Sequence, residues 1–167
     1  MTVTLTTPRL RLRPLTTADL PDYLALHDDP RVYGPTVGRP YTREEATDRL
    51  RRNERQWKER GHGLYAVELA DDGAFVGRCG LVYWERFDEV EAGWSLHPDH
   101  WGRGLATEAA RAFLDQGWRT LTVPYVTSMI RSDNEPSAAV ARRLGFTPLR
   151  PDRVDDIPVI VHALQRP

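Results

Sequence analysis

Two glycines one residue apart, Gly102 and Gly104, lie in the stretch from His100 to Ala109 and run straight into a helical pattern. From there small or apolar residues recur in pairs, Leu105/Ala106, Ala109/Ala110, Phe113/Leu114 and Gly117/Trp118, which is one buried helix face at period 3.6. The first turn of such a helix carries free backbone N–H groups and the positive end of the helix dipole. Glycines at its entrance let a ligand approach the backbone, and the ligand suited to those donors is a phosphate or pyrophosphate. Two familiar phosphate loops are excluded. The chain has no Gly-x-x-x-x-Gly-Lys-Ser/Thr, its sole lysine being Lys58. A dinucleotide fingerprint would need a third glycine at position 107, which is Thr107.

Upstream of the glycines, Val90, Ala92, Trp94 and Leu96 alternate with Glu89, Glu91, Gly93 and Ser95, so the segment reads as a strand with one apolar face. Glu91 points with Gly93 and Ser95 to the opposite side, and Glu89 is a rival acid on the same face. The unit is strand, glycine turn, helix.

Other elements must position this unit. Arg9 to Arg13 alternates as a first strand with its leucines inward. Thr17 caps a helix to about His27, with Leu20, Tyr23, Leu24 and His27 on one face. Residues 28–41 hold three prolines and two glycines and read as a loop. Thr42-Arg-Glu-Glu45 is a capping box for a helix to about Arg60, lined by Ala46, Leu50 and Trp57. Leu64 to Leu69 and Ala74 to Trp84 are strands joined by a turn at Asp71-Asp72-Gly73. Leu121 to Arg131 is rich in β-formers. Asn134 caps a last helix with Pro136 in its first turn and Gly145 as its stop. Phe146 to Leu149 and Pro158 to Leu164 close the chain as a hairpin.

The segment from Glu91 to Ala109 resembles the acetyl-CoA-binding motif of the GNAT superfamily of N-acetyltransferases, in the branch that includes the ribosomal-protein N-terminal acetyltransferases. The resemblance starts at Thr7-Pro-Arg-Leu-Arg-Leu-Arg-Pro-Leu15, resumes at Asn134 to Phe146, which resembles the family's second signature, and covers nearly the whole chain. Many members carry Gln or Arg where this chain has Trp101; the named branch commonly has an aromatic there. The resemblance implies an α+β fold, a mixed and mostly antiparallel sheet of six or seven strands flanked by about four helices, in a single domain over residues 1–167. The two N-terminal helices and the loop between them would shape the acceptor site.

It also implies roles. Acetyl-CoA, as co-substrate, would be held by Leu96, Trp101, Gly102, Arg103, Gly104, Leu105, Ala106, Thr107, Asn134 and Ser137. The pyrophosphate would lie on the amides of residues 102–107, Arg103 would add charge, and the Leu96 backbone would pair with the pantetheine arm like an added strand. Glu91 would be the general base, directly or through water. An α-amine, with a pKa of about 8, needs only a modest base at neutral pH, whereas a lysine amine near ~10.4 needs more. Many members place a tyrosine acid seven residues after the asparagine, but that position is Ala141 here; Ser137, one turn earlier, would protonate or orient the thiol instead.

The implied reaction is transfer of acetyl from acetyl-CoA to a primary amine, a protein N-terminus or a small molecule, by direct attack in a ternary complex. The motifs belong to the donor side and do not choose between acceptors. The alternative is a non-catalytic acyl-CoA-binding sensor or scaffold, motivated by the missing tyrosine. A homodimer is expected by analogy.

Composition bounds the rest. A net charge of −1 gives no drive towards nucleic acid or membrane. One cysteine, Cys79, forbids an intrachain disulfide and suits a reducing compartment. With no basic-then-apolar leader and no apolar run of membrane-spanning length, the chain reads as soluble and cytoplasmic. His97-Pro-Asp-His100 lacks a third close ligand, so no metal is expected. Trp84 and Trp94 are assigned to core packing, with an acceptor pocket as the alternative. Arg49, Arg51, Arg52, Arg55 and Arg60 read as a solvated helix face, one that could steer an acidic substrate. Asp152, Asp155 and Asp156 are read as exposed acids of a late loop, with contact to a cationic acceptor as the alternative.

Overall fold

The computed structural model describes residues 3–167. Eight strands form one sheet in the order β1-β2-β3-β4-β5-β6-β8-β7. They are β1 (Leu5–Thr6), β2 (Leu10–Pro14), β3 (Leu64–Leu69), β4 (Phe75–Trp84), β5 (Glu89–Leu96), β6 (Tyr125–Arg131), β7 (Thr147–Val154) and β8 (Ile157–Gln165). Five helices accompany them: α1 (Leu20–Asp28), α2 (Pro30–Tyr33), α3 (Arg43–Arg60), α4 (Leu105–Trp118) and α5 (Glu135–Leu144). The sheet is thus larger than the six or seven strands expected. The additions are a two-residue edge strand, β1, and one four-residue helix, α2.

Every neighbouring pair is antiparallel except β5 and β6, whose parallel pairing requires a crossover, supplied by α4. That pairing consists of a single rung, Glu91 with Thr127. Beyond it the strands diverge. The Met129 amide, two residues past the rung, would face the β5 backbone in a continuing ladder. It donates instead to Glu91 Oε1 at 3.2 Å. On the β4 side, the His97 amide donates to the Val76 carbonyl at 2.7 Å, flanking the Leu96–Gly77 pair. By antiparallel alternation the main-chain groups of Trp94 and Leu96 therefore face the gap that β6 has left.

The larger core lies between the sheet and α4 and α5. Val90, Ala92 and Leu96 of β5 meet Leu105, Ala109, Ala110 and Phe113 of α4, all 5% exposed or less. Gly117 sits where a side chain would strike Leu81, since an added Cβ would lie 2.5 Å from its Cδ1. A smaller core on the other face gathers Leu15, Tyr23, Ala46, Leu50 and Ala66 under α1 and α3. The α3 capping box forms as read, with the Glu45 amide donating to Thr42 Oγ1 at 3.1 Å and Gly61 ending the helix at φ 72°.

Several boundaries move. The first helix enters through a 3-10 turn at Thr17–Asp19 capped by Thr16, whose amide donates to Asp19 at 2.9 Å, so the cap is one residue earlier than Thr17. The segment 28–41 contains α2, started by Asp29 and Pro30. Residues Leu121 to Pro124 precede β6 rather than belong to it. The last hairpin is longer than expected: Asp152 lies within β7, and only Asp155 and Asp156, at φ 48° and 64°, form the two-residue turn. No described helix is long and apolar enough to cross a membrane.

Candidate active site

The glycine turn is built by backbone geometry that only glycine adopts freely. Gly102 and Gly104 have φ of 71° and 75°, and Gly104 is the N-cap of α4. No described acceptor takes the amides of residues 102–107. They form a row of donors at a helix N-terminus, suited to an anion. Leu105 and Thr107 turn their side chains inward, 1% and 8% exposed, so only their backbones face out. Arg103 is exposed, and its Nη1 lies 3.3 Å from His100 Nδ1.

A strap fixes this turn. Glu108, in the first turn of α4, accepts from Thr7 Oγ1 at 2.7 Å, from the Arg9 amide at 3.0 Å and from Arg9 Nε at 2.7 Å. Arg9 Nη1 donates to the Arg103 carbonyl at 2.8 Å. Burial pushes the Glu108 carboxyl up, but the hydrogen bonds from Thr7 and Arg9 outweigh it and hold its pKa below the ordinary value.

Trp101 is 47% exposed and bridges the turn to the strand, its Nε1 donating to the Leu96 carbonyl at 2.8 Å. That carbonyl is therefore engaged, and the Leu96 amide is the group left on that residue to face the gap.

The gap opens into a cleft of about 340 Å³ between β5, β6, α3 and the segment 35–37. Glu91, Trp94, Ser95, Asn134 and Ser137 line it; Leu96 and residues 101–107 lie outside. The structure thus divides the candidate residues between two adjoining places, a donor row beyond the end of β5 and a cleft beside it.

Within the cleft, Glu91 Oε2 accepts from Trp84 Nε1 at 2.5 Å and Oε1 accepts from the Met129 amide. Burial raises the Glu91 pKa above its ordinary value, more than these donors and the charge of Arg78 lower it. Its rival Glu89 is held by Arg150 in a two-pronged pair at 2.9 Å on each oxygen. Asn134 caps α5, accepting from the Ser137 amide at 3.3 Å, and its Nδ2 donates to the Pro35 carbonyl at 3.4 Å. The Ser137 hydroxyl has no hydrogen-bond partner among the described residues. Ala141, the position where the resemblance led one to look for a tyrosine, is fully buried in the core. Cys79 is also fully buried, which pushes its thiol pKa well up.

Several cleft residues entered the sequence reading only as alternatives, and one not at all. Trp84 and Trp94, assigned to packing with an acceptor pocket as the alternative, both line the cleft: Trp84 holds Glu91, and Trp94 also meets Phe146 at 6.3 Å between ring centroids. Arg49 and Arg52, read as part of a solvated face that could steer an acidic substrate, line the cleft, with Arg49 stacked 4.4 Å from the Tyr41 ring centroid. Arg78 was missed altogether, although its parity in β4, opposite Cys79, puts it on the Glu91 side of the sheet.

Comparison with known proteins agrees with this geometry. Residues 9–147 match the acetyltransferase (GNAT) domain family. The Bacillus subtilis protein YkkB is 33% identical over 150 residues, covering 85% of this chain and 84% of its own. The crystal structure of an acetyltransferase from Agrobacterium tumefaciens superposes with a TM-score of 0.85 at 37% identity, covering 98% and 94% of the two chains. RimL, a ribosomal L7/L12 alpha-N-protein acetyltransferase solved in complex with coenzyme A, shares the fold at a TM-score of 0.77 and 18% identity, covering 98% of each chain. The chain belongs to the GNAT acetyltransferases, enzymes that take their acyl group from acetyl-CoA.

Proposed function

We propose that this protein transfers the acetyl group of acetyl-CoA to a primary amine by direct attack within a ternary complex. The observation that carries the reading is the position of Glu91, a carboxylate held at the point where β5 and β6 part, beside strand groups left unpaired. The amides of residues 102–107 hold the pyrophosphate, with Trp101 and Arg103 beside them. The gap-facing main chain of Trp94 and the Leu96 amide take the pantetheine arm as an added strand. Asn134 and Ser137 border the thioester end.

The amine nitrogen attacks the thioester carbonyl, the carbon–sulfur bond breaks, and the amine proton passes to Glu91, directly or through water. A raised carboxyl pKa suits this role, because a base works best when its pKa lies nearer the working pH. The thiolate leaves towards Ser137, the one hydroxyl of the α5 signature on the cleft. A ping-pong route through Cys79 has no support, since that thiol is buried and hard to ionise.

The test is free-thiol release from acetyl-CoA on a panel of N-terminal peptides, amino acids and polyamines, with Glu91→Gln beside wild type. Amine-dependent release that the substitution slows is the expected result. Tight acetyl-CoA binding without release on any amine would favour a sensor.

A further inference from the structure

The cleft holds more positive charge than its own residues neutralise. Four arginines line it, Arg49, Arg52, Arg78 and Arg131, against two acids, Glu91 and Asp155. Arg131 is accounted for by Asp133 at 2.7 Å and by the Gly34 carbonyl at 3.0 Å. Glu91 already has a donor on each oxygen. The other three guanidinium groups have no carboxylate partner among the described residues, and Arg49 has only the Tyr41 ring.

Arg78 is the sharpest case. It makes no hydrogen bond to a described residue, and its Nε is buried without a partner. It shares a sheet face with Ser95 and Glu91, and its Nη1 lies across Gly93, 3.4 Å from where a Cβ on that residue would be. Tyr23 and Glu91 line the same cleft as Arg78. Arg78 is half-buried, so a buried Nε without a partner carries a desolvation cost, and the planar fork of the group is shaped for a two-oxygen anion.

We infer that the amine acceptor carries an anionic group, a carboxylate or a phosphate, which Arg78 binds with Arg49 and Arg52 while the amine lies at Glu91. This deepens the proposed acetyl transfer and rests on it. It disfavours polyamines, whose second cationic group would meet the arginines.

Matched acceptors test the inference: alanine against alaninamide, an N-terminal aspartyl dipeptide amide against its asparaginyl counterpart, and phosphoethanolamine against ethanolamine. Carboxamide formation makes the neighbouring amine less basic, so intrinsic reactivity favours the amide, and any preference for alanine is a property of the site. We expect kcat/KM to favour the anionic member of at least one pair by about tenfold or more, and the responding pair identifies the source of the anion. In Arg78→Met that ratio falls towards one, with Arg78→Lys retaining part of it. Arg52→Gln gives a second reading should Arg78→Met not fold. Calorimetric titration of the same pairs into protein saturated with coenzyme A reads the anion site without chemistry. If no amine releases thiol yet the anionic member binds more tightly, acetyl transfer fails and the anion site stands. Equal behaviour of acid and neutral partner in both assays, or no binding by either, overturns the inference.

Discussion

The indole nitrogen of Trp84 donates to Oε2 of Glu91 across a β4–β5 diagonal, because Trp84 is in register with Glu89 two residues away. The bond fixes the carboxylate at the edge of the cleft, where among the described residues its one other hydrogen-bond donor is the Met129 amide. Replacing Glu91 by Gln removes the proton acceptor with little change of shape. Acetyl transfer should fall by about a hundredfold, with the dissociation constant for acetyl-CoA little changed by calorimetry. Because burial raises the carboxyl pKa, the acid limb of kcat/KM against pH should lie above the ordinary carboxylate range and disappear in Glu91→Gln.

Gly104 takes a left-handed conformation at the cap of α4. Gly104→Val should cost about 1–2 kcal/mol of backbone strain and weaken acetyl-CoA by about tenfold or more as the donor row is displaced. Thermal melts and calorimetry separate the two effects. Unaltered affinity would remove the turn from the binding site.

Glu108 carries the strap between the chain's start and the glycine turn. In Glu108→Ala the Arg9 contact to the Arg103 carbonyl loses its anchor. Stability should drop by about 1 kcal/mol, discounted because Arg9 is half exposed. Affinity for acetyl-CoA should fall in parallel, whereas KM for the amine should not.

His27 lies between the rings of Tyr23 and Tyr41, at 4.5 and 4.8 Å between centroids, 2% exposed and with neither ring nitrogen hydrogen-bonded. Burial, then the charges of Arg78 and Arg49, push its pKa well below the ordinary value. The folded state therefore binds fewer protons than the unfolded chain, whose histidine titrates near ~6.5. This contribution to stability is complete above that pH and declines as the pH falls below it. Urea titrations at pH 7.5 and 5.5 should show the loss, and His27→Phe should reduce it. The same slope in both proteins would assign it elsewhere.

Much of the frame was legible because local patterns agreed with the fold. Strand β5 ends where its alternation ends, α3 starts at its capping box, and Asn134 and Gly145 bracket α5. Helix α2 was hidden because proline and glycine on both sides read as loop, although Pro30 is a good first helical residue after Asp29. The parting of β5 and β6 leaves no mark in either segment, since it depends on where one side chain, Glu91, intercepts one amide of another strand. Arg78 was missed, and Trp84 was placed first in the core, for the same reason: their parity was readable, but whether that face met solvent, core or a cleft is decided by α1, α3 and the segment 35–37 above it.

The single rung between Glu91 and Thr127 makes the sheet two panels sewn by one main-chain stitch, with the Glu91–Met129 bond beside it. On the proposed reading, the substrate's arm is the missing thread, so the molecule consumed is also part of the scaffold. A ligand at a hundred times its dissociation constant adds about 2.7 kcal/mol to a folded state, a sizeable share of what holds a small domain together. The enzyme's own persistence is thereby tied to the supply of its acyl donor: when acetyl-CoA runs short, the catalyst loosens along with the loss of its work.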